Sequence, residues 1–384
     1  MLYLDHAATT PVRPEVFEAM RPYLQDRFGN PSSHHTVGEA AASALAEARR
    51  RIAAVVGMRP ADIVFTSGGT EADNLAVKGI AIAAALRRGG AVHVITTPIE
   101  HEAVLRSCDY LERVHATAVT RLSVDATGRI DPAALLDALR PETALVSIGY
   151  ANNEIGTVQD VAAISAVTRG AGVPLHLDAV QAAGWLPLAE TGADAISIAG
   201  HKVGAPPGIG VLAVRGRVPL EPLLHGGGQE RERRSGTENL AGAVAMATAL
   251  ELAEAERAET SVRVAEVRDR FIERVLGLVP AARLTGHPTH RLPGTASFTF
   301  AGTSGESVLL ELERRGIVSS SGSACAAGSD EPSHVLLALG IAPEVAQTAV
   351  RFSFGHEIAA RPLTTADALA DAVASSVAAV RSGP

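Results

Sequence analysis

The chain has 384 residues, of which 47% are hydrophobic and 20% are charged, and its formal net charge is −8. This length and composition indicate a well-packed protein with a large and a small domain, while the negative charge argues against a general binder of nucleic acids or anionic membranes. No segment approaches the roughly 18 uninterrupted apolar residues of a spanning helix, and the first residues lack the basic start and apolar run of an export signal, so we expect a cytoplasmic protein.

Short apolar runs rich in Val and Ile predict five buried strands in the first two-thirds of the chain. These runs cover residues 62–67, 91–96, 143–150, 173–179 and 193–200. Amphipathic patterns between the runs predict helices, among them 70–88 and 160–172. Strands that alternate with helices in this way form a mostly parallel sheet with helices on both faces, so the expected fold class is α/β.

The pattern changes near residue 256. The predicted elements after this point include a long helix at 259–279 and strands at 295–300 and 349–354. This mixed order indicates a second, smaller α+β domain. We therefore expect a large domain over residues 14–255 and a small domain that combines residues 1–13 with 256–384.

Polar residues follow directly after several of the predicted strands. The segments concerned are "FTSGGTEADN", "YANNEIGT", "HLDAVQ" and "IAGHK". In an open parallel sheet, ligands bind in the crevice at the carboxyl ends of the strands. We therefore expect all four segments to open toward one crevice.

The first of these segments has the composition of a phosphate-binding turn. Gly69 and Thr70 stand where a helix begins, and Glu71 and Asp73 lie in its first turn. Free backbone N–H groups at a helix start, with glycines that permit close approach, bind phosphate. Ordinary helix capping is the alternative interpretation.

Two charged residues follow the next strands. Asp178 ends a strand, where a carboxylate needs a cationic or protonated partner, which is either a neighbouring Lys or Arg or a heterocyclic nitrogen. Lys202 precedes a Gly/Pro-rich turn, and a partly desolvated lysine there can form a Schiff base with an aldehyde; the alternative is a surface lysine. A phosphate, a protonated ring nitrogen and an aldehyde are together the binding groups of pyridoxal 5′-phosphate.

The chain resembles the cysteine desulfurase family of fold-type I pyridoxal-phosphate enzymes, which is part of the class V aminotransferase superfamily. The resemblance runs nearly from end to end. It is carried, in order, by "YLDHAATTPV", "FGNPSS", "SGGTEADNLAVKG", "EHEAVL", "ANNEIGTVQ", "HLDAVQ", "GHKVGAPPGIG", "HGGGQERERRSGTEN", "SSGSACAAG" and "RFSFGHE".

The resemblance implies a role for each matching position that would contact the cofactor. Lys202 would bond covalently to the cofactor and move protons, and Asp178 would pair with the ring nitrogen. Gln181 would reach the phenolic oxygen, and His101 would stack on the ring and assist proton transfer, although helix capping would also explain this histidine. The groups that would hold the phosphate are Thr70, the backbone of Gly69, and His201.

Three further positions concern the substrate and a partner subunit. By the same resemblance, Asn153 and Arg351 would bind the substrate carboxylate, Arg351 through a bidentate contact. Thr237 would reach the phosphate bound by the partner subunit, which implies a homodimer. One position departs from the family pattern, because Ala199 stands where relatives commonly have a hydroxyl residue, so one phosphate hydrogen bond is missing or replaced by water.

Cys325 lies in the segment "SSSGSACAAGSDEPSH", whose small and polar residues predict a mobile loop. An exposed thiol there can ionise and react, whereas an incidental loop thiol is the alternative. The other cysteine, Cys108, lies in a helical pattern and is interpreted as structural. No motif for a stable metal site is present, although Cys325 could be a transient ligand of an iron–sulfur cluster.

The implied reaction converts L-cysteine to L-alanine with transfer of the sulfur to Cys325 as a persulfide. An acceptor protein, such as an iron–sulfur scaffold or a tRNA-thiolation enzyme, would then take the sulfur. The alternatives are another fold-type I enzyme, such as an aminotransferase or a sulfide-releasing lyase, and a non-catalytic scaffold for sulfur assembly.

Overall fold

The computed structural model describes residues 1–322 and 331–381. Its strands are β1 (Leu2–Tyr3), β2 (Ile63–Thr66), β3 (His93–Thr96), β4 (Ala118–Arg121), β5 (Thr143–Gly149), β6 (Leu175–Asp178), β7 (Ala195–Ala199), β8 (Gly210–Val214), β9 (Ala282–Leu284), β10 (Thr295–Phe300), β11 (Ile317–Val318) and β12 (Ala349–Ser353). Its helices are α1 (Pro14–Gln25), α2 (Thr36–Val56), α3 (Gly69–Asn74), α4 (Ile80–Arg88), α5 (Glu102–His115), α6 (Pro132–Ala138), α7 (Val161–Ala171), α8 (Leu240–Leu278), α9 (Gly305–Arg314), α10 (His334–Ala338), α11 (Pro343–Ala346) and α12 (Thr364–Arg381).

Seven strands form the central sheet in the order β2-β8-β7-β6-β5-β3-β4. Strand β8 runs antiparallel to both of its neighbours, and the other adjacent pairs are parallel. The α/β fold class with a mostly parallel sheet is therefore confirmed. All five strands predicted from apolar runs are present, whereas β4 was not predicted because it is a partly exposed edge strand.

Alternate residues of the central strands pack into two different apolar cores, one on each face of the sheet. In β2, Ile63 and Phe65 belong to one core and Val64 to the other. The first core is shared with α2, α7 and the start of α8, and the second is covered by the helical stretch from α3 to α5. Within it, α3 and α4 form one continuous helical run from Gly69 to Arg88, with a π-helical turn between them.

A third core lies around a smaller antiparallel sheet of order β12-β10-β9. Phe271 of α8 packs edge-on against Phe298, Phe352 and Phe354 in this core. Leu4 belongs to the same core, because β1 pairs with β11 and Asp5 bridges to Ser353.

Helix α8 joins the first and third cores. It has 39 residues and begins at Leu240, where the Asn239 side chain accepts a hydrogen bond from the Gly242 N–H. The helix predicted at 259–279 is only its second half, and the first half packs into the core of the central sheet. Because α8 crosses residues 255 and 256 without a break, the division into two domains at this point stays a prediction. Within the described residues, no helix is both long and apolar enough to cross a membrane.

Candidate active site

The carboxyl ends of the central strands open into a cavity of about 990 Å³. Nine of the predicted site residues line it: Gly69, Thr70, His101, Asn153, Asp178, Gln181, His201, Lys202 and Arg351. Thr237 is exposed and does not line this cavity. Cys325 lies outside the described residues. The four polar segments that follow the strands therefore do open toward one crevice.

Lys202 ends a short 3₁₀ turn, Gly200–Lys202, that directly follows β7. Its Nζ donates hydrogen bonds to the carbonyl oxygens of Ala7 and Ala8, the latter at 2.7 Å. The Gln181 side chain also donates to the Ala7 carbonyl, at 3.0 Å. The N-terminal segment therefore forms one wall of the site. This contact was not predicted from the sequence. The only signal for it was the run of small residues in "DHAATT".

Asp178 ends β6, the strand adjacent to β7, and its Oδ1 accepts a hydrogen bond of 2.9 Å from the Val180 N–H. Burial raises the pKa of Asp178, and the nearby His101 and Lys202 oppose this rise. The carboxylate is therefore short of positive charge within the chain. A protonated ring nitrogen would supply that charge.

His101 caps α5, because its Nδ1 accepts a hydrogen bond of 3.1 Å from the Ala103 N–H. This bond requires an unprotonated Nδ1, so in the neutral ring the proton is on Nε2. The capping interpretation of this histidine therefore applies. The same residue also lines the cavity, so capping and contact with a cofactor are compatible.

The start of α3 has the close approach that a phosphate cradle needs. A Cβ added to Gly69 would lie 2.9 Å from Val180 Cγ2 and 3.2 Å from the Cβ of Ala199, so only glycine fits there. The capping alternative is also visible, since the Ser67 N–H donates to Glu71 at 2.7 Å. Both interpretations of this segment are thus compatible with the structure.

His201 is near the same cradle and is neutral at physiological pH. Burial, and secondarily the charge of Lys202, lower the pKa of His201 to about 4. Its Nδ1 lies 3.2 Å from the Thr9 hydroxyl, so Nε2 is left for a second partner. The imidazole can therefore offer a phosphate a hydrogen bond through Nε2.

Arg351 is 1% exposed and uses most of its hydrogen-bond donors within the chain. Its Nη2 forms an ion pair of 2.6 Å with Asp5, and its Nη1 donates to the carbonyl oxygens of Asn153 and Gly322 at 2.9 and 3.3 Å. Its Nε has no partner among the described atoms. A substrate carboxylate would therefore have to compete with Asp5, a residue that the sequence did not single out.

Two further acids line the cavity and were not predicted as site residues. Asp73 and Glu100 are 1% and 4% exposed. Burial raises the pKa of Glu100 to about 8, although Thr97 donates a hydrogen bond of 2.6 Å to it. Burial and the charges of Asp178 and Glu100 raise the pKa of Asp73 well above its ordinary value. Three acids thus face one small region of the cavity.

The donor set fits pyridoxal phosphate. Lys202 offers a primary amine, Asp178 offers a buried carboxylate, and Gly69 is the first residue of α3, where backbone N–H groups have no partner within the helix. By contrast, burial raises the pKa of the Cys108 thiol to about 12, which agrees with a structural role. Among the described residues, no three His, Cys, Asp or Glu side chains are grouped so that they could hold a metal ion.

Comparisons with known proteins agree with this chemistry. The family model described as "Aminotransferase class-V" matches residues 2–361. The chain is 44% identical to "Cysteine desulfurase IscS" of Dictyoglomus turgidum, over 92% of this chain and 89% of the relative. It is 47% identical to "IscS-like cysteine desulfurase" of Mycobacterium tuberculosis, over 93% and 92% of the two chains. A solved structure titled "NIFS-LIKE PROTEIN" superposes with a TM-score of 0.89 at 32% identity, over 98% and 99% of the two chains.

Proposed function

This chain belongs to the class V aminotransferase family, among its cysteine desulfurases, and on that premise we propose that it converts L-cysteine to L-alanine and keeps the sulfur on Cys325 as a persulfide. Pyridoxal phosphate is the cofactor of this family. The observation that carries the proposal is the convergence of Lys202, Asp178 and Arg351 on one cavity.

The cofactor, when bound, supplies an electron sink that stabilises negative charge on the α-carbon of the substrate. Lys202 would supply the amine that bonds to the cofactor aldehyde, and its Nζ would accept the proton from the substrate α-carbon. Asp178 would pair with the ring nitrogen. His101, which lines the same cavity, would contact the ring and offer its Nε2 for proton transfer near the substrate sulfur.

Arg351 and Asn153 orient the substrate through its carboxylate. Because the guanidinium is already paired with Asp5, the incoming carboxylate exchanges with that residue or uses the donors that remain. Arg351 is almost completely enclosed, so its contact with the substrate would be shielded from water.

Cys325 is the sulfur acceptor in this proposal. Its thiolate attacks the substrate sulfur, an S–S bond forms, the C–S bond breaks, and the electron pair remains on the substrate carbon, which is then protonated. One thiol and one L-cysteine thus give one persulfide and one L-alanine. Cys108 cannot replace it, because its thiol is buried and its raised pKa disfavours the thiolate.

Cys325→Ala tests the proposal directly. We expect the variant to bind the cofactor normally, to form no protein-bound persulfide, and to release alanine at least about 100-fold more slowly than the wild type. Cys108→Ala is the matched control, since the chain has only these two cysteines, and it should keep both reactions. Mass spectrometry of the persulfide and an alanine assay give the result. Full alanine release by Cys325→Ala would instead favour a sulfide-releasing lyase.

The proposal extends to assembly, location and sulfur acceptor. We expect a cytoplasmic homodimer in which the exposed Thr237 reaches the cofactor of the partner subunit, and a mass near twice 39.6 kDa in light scattering would support it. The expected acceptor is a protein such as an iron–sulfur scaffold or a tRNA-thiolation enzyme. Transfer of ³⁵S from the loaded enzyme to a copurifying protein would identify it.

A further inference from the structure

The first residues of the chain contact both the substrate-binding arginine and the reactive lysine of the proposed function. Asp5 forms the ion pair of 2.6 Å with Arg351. The carbonyl oxygens of Ala7 and Ala8 accept the hydrogen bonds of Lys202 Nζ. Both contacts therefore belong to one short segment, which links the two ends of the cavity.

This segment is a tight turn that its own backbone holds together. The Asp5 carbonyl oxygen accepts hydrogen bonds from the N–H groups of Ala8 and Thr9, at 2.9 and 3.4 Å. The Tyr3 hydroxyl lies within hydrogen-bond distance of the carbonyl oxygens of Asp5 and Thr9, at 3.0 and 3.1 Å. A displacement of Asp5 is therefore transmitted to the part of the turn that contacts the lysine.

The two carbonyl groups differ in how they are attached. Ala7 is attached to β12 as well, because its N–H donates a hydrogen bond of 2.9 Å to Ser353 Oγ. Ala8 is attached through its bond to the Asp5 carbonyl oxygen. Loss of the ion pair should therefore weaken chiefly the contact between Ala8 and Lys202.

A substrate carboxylate cannot make a bidentate contact with Arg351 while Asp5 remains in place. A guanidinium binds a carboxylate through two parallel N–H donors, either from Nη1 and Nη2 or from Nε and Nη2. Both arrangements include Nη2, the atom that Asp5 contacts. Two carboxylates on one enclosed nitrogen repel each other, so the substrate would displace the Asp5 side chain.

We propose that Asp5 is a positioning residue that couples Arg351 to Lys202: in the empty site its ion pair keeps the turn against the lysine amine, and a substrate carboxylate that takes the place of Asp5 releases this contact. The proposal rests on the proposed function in that Arg351 binds the substrate carboxylate. The coupling favours amino acids over simple amines as substrates, because an amine without a carboxylate leaves Asp5 on Arg351 and the turn on Lys202.

Acylation of the lysines in the apoenzyme measures this contact without turnover. The chain has only two lysines, so the labelling of Lys202 by trace acetic anhydride is expressed relative to that of Lys78, using peptide mass spectrometry. Hydrogen bonds from an amine to carbonyl groups favour its protonated form, which does not react with the anhydride. Loss of the contact with Ala8 should therefore raise the relative labelling about 5-fold.

Two variants separate coupling through the turn from a direct effect of charge. Asp5→Asn and Arg351→Gln both break the ion pair, so both should raise the relative labelling of Lys202, and the double variant should raise it no further. A direct electrostatic effect would act in opposite directions, because loss of the Arg351 charge favours the protonated amine. Unchanged labelling in either variant, or lower labelling in Arg351→Gln, would overturn the proposal.

Propionate provides a second comparison, in the unmodified chain. It has the carboxylate of the substrate but no amine, and propionamide is an uncharged control of similar size. At a concentration that saturates binding in calorimetry, propionate should raise the relative labelling of Lys202 about 5-fold in the wild type and by less than about 2-fold in Asp5→Asn. Propionamide at the same concentration should not raise it.

Equal effects of propionate and propionamide on the wild type would contradict the coupling. If propionate does not bind at all, the assignment of Arg351 as the carboxylate contact in the proposed function is wrong. The comparison of Asp5→Asn with Arg351→Gln still decides the coupling in that case, so the two failures are distinguishable.

Discussion

The two sides of the cavity differ in how far their buried charged groups are compensated by neighbouring groups. On the side of the central sheet, Asp73, Glu100 and Asp178 lie together, and burial raises the pKa of all three. On the side of the small sheet, Arg351 is paired with Asp5 and bonds to two backbone carbonyls. One side therefore holds acids whose charged forms are disfavoured by burial, and the other holds an ion pair that is already complete.

This difference indicates what each side binds. On the acidic side, a protonated heterocycle would give the Asp178 carboxylate a partner, so cofactor binding would offset part of the cost of burying this charge. The side of Arg351 is balanced in the absence of ligand, so a substrate carboxylate exchanges one ion pair for another and gains little net energy. We therefore expect the same cavity to bind the cofactor firmly and the substrate with moderate affinity.

The largest effect is expected on the acidic side, from Lys202→Ala. Loss of the amine should prevent borohydride from fixing the cofactor to the protein and should lower alanine formation at least about 1,000-fold. The chain has one other lysine, Lys78, whose Nζ bonds to Asn74. Lys78→Ala is thus the natural control and should keep both properties. Covalent labelling that persists in Lys202→Ala would show that the assignment of the lysine is wrong.

Arg351→Lys tests the opposite side. Lysine keeps a positive charge near Asp5 but cannot make a bidentate contact, so the KM for L-cysteine should rise about 10- to 100-fold with a smaller change in kcat. The cofactor dissociation constant should stay within about 3-fold. Arg283→Ala, at an exposed position of β9, serves as a control. If cofactor and substrate binding weaken together, the two sides are not separate in function.

The raised pKa of Glu100, on the acidic side of the cavity, should make the stability of the protein depend on pH. Its pKa is raised to about 8, so the folded state keeps a proton that the unfolded state loses near its ordinary value. Its contribution to stability is therefore present in acid and is lost as the pH rises through about 8. Glu100→Gln removes this dependence, and the apo variant should lose less stability than the apo wild type between pH 5 and 9, by about 1–3 kcal/mol.

Thermal unfolding midpoints across this pH range provide the measurement for Glu100→Gln. Glu102→Gln, two positions further along at the start of α5, is the control, because its side chain is about one-third exposed and already paired with Arg106. Parallel pH profiles for Glu100→Gln and the wild type would contradict a buried, protonated Glu100.

The smallest effect is expected from Ala199→Ser, which restores the hydroxyl that relatives commonly carry. Ala199 is buried beside Gly69, where the added oxygen can reach a phosphate. One hydrogen bond contributes about 1 kcal/mol, so cofactor affinity should rise about 3- to 5-fold. Fluorescence titration of the apoenzyme measures this change, and an unchanged affinity would mean that water already fills this position.

The sequence predicted the sheet well because buried parallel strands are continuous apolar runs. It did not predict β4, whose exposed edge position leaves no such run, or the true start of α8, where an alanine-rich segment lacks a clear periodicity. Cavity residues next to strand ends or helix starts, such as Asp178 and Lys202, could be predicted from the order of strands and helices along the chain.

Residues that the fold brings to the site from distant parts of the sequence could not be predicted in this way. Asp5 and Ala7 lie 346 and 195 positions from their partners Arg351 and Lys202, and no local sequence pattern indicates those contacts. Sequence patterns gave Asp73 and Glu100 no role of their own; they only stand near the predicted site residues Thr70 and His101. Their importance arises from mutual repulsion in an enclosed volume, which depends on the folded arrangement.

The pairing of β1 with β11 has a consequence for biosynthesis. Leu2 pairs with Ile317, so during synthesis β1 waits for more than 300 later residues before its partner strand is made. The carbonyl groups that accept hydrogen bonds from Lys202 lie shortly after β1, at Ala7 and Ala8. The vitamin-derived group is thus expected to load only after residue 317 has been made, when this wall of the crevice can be held in place.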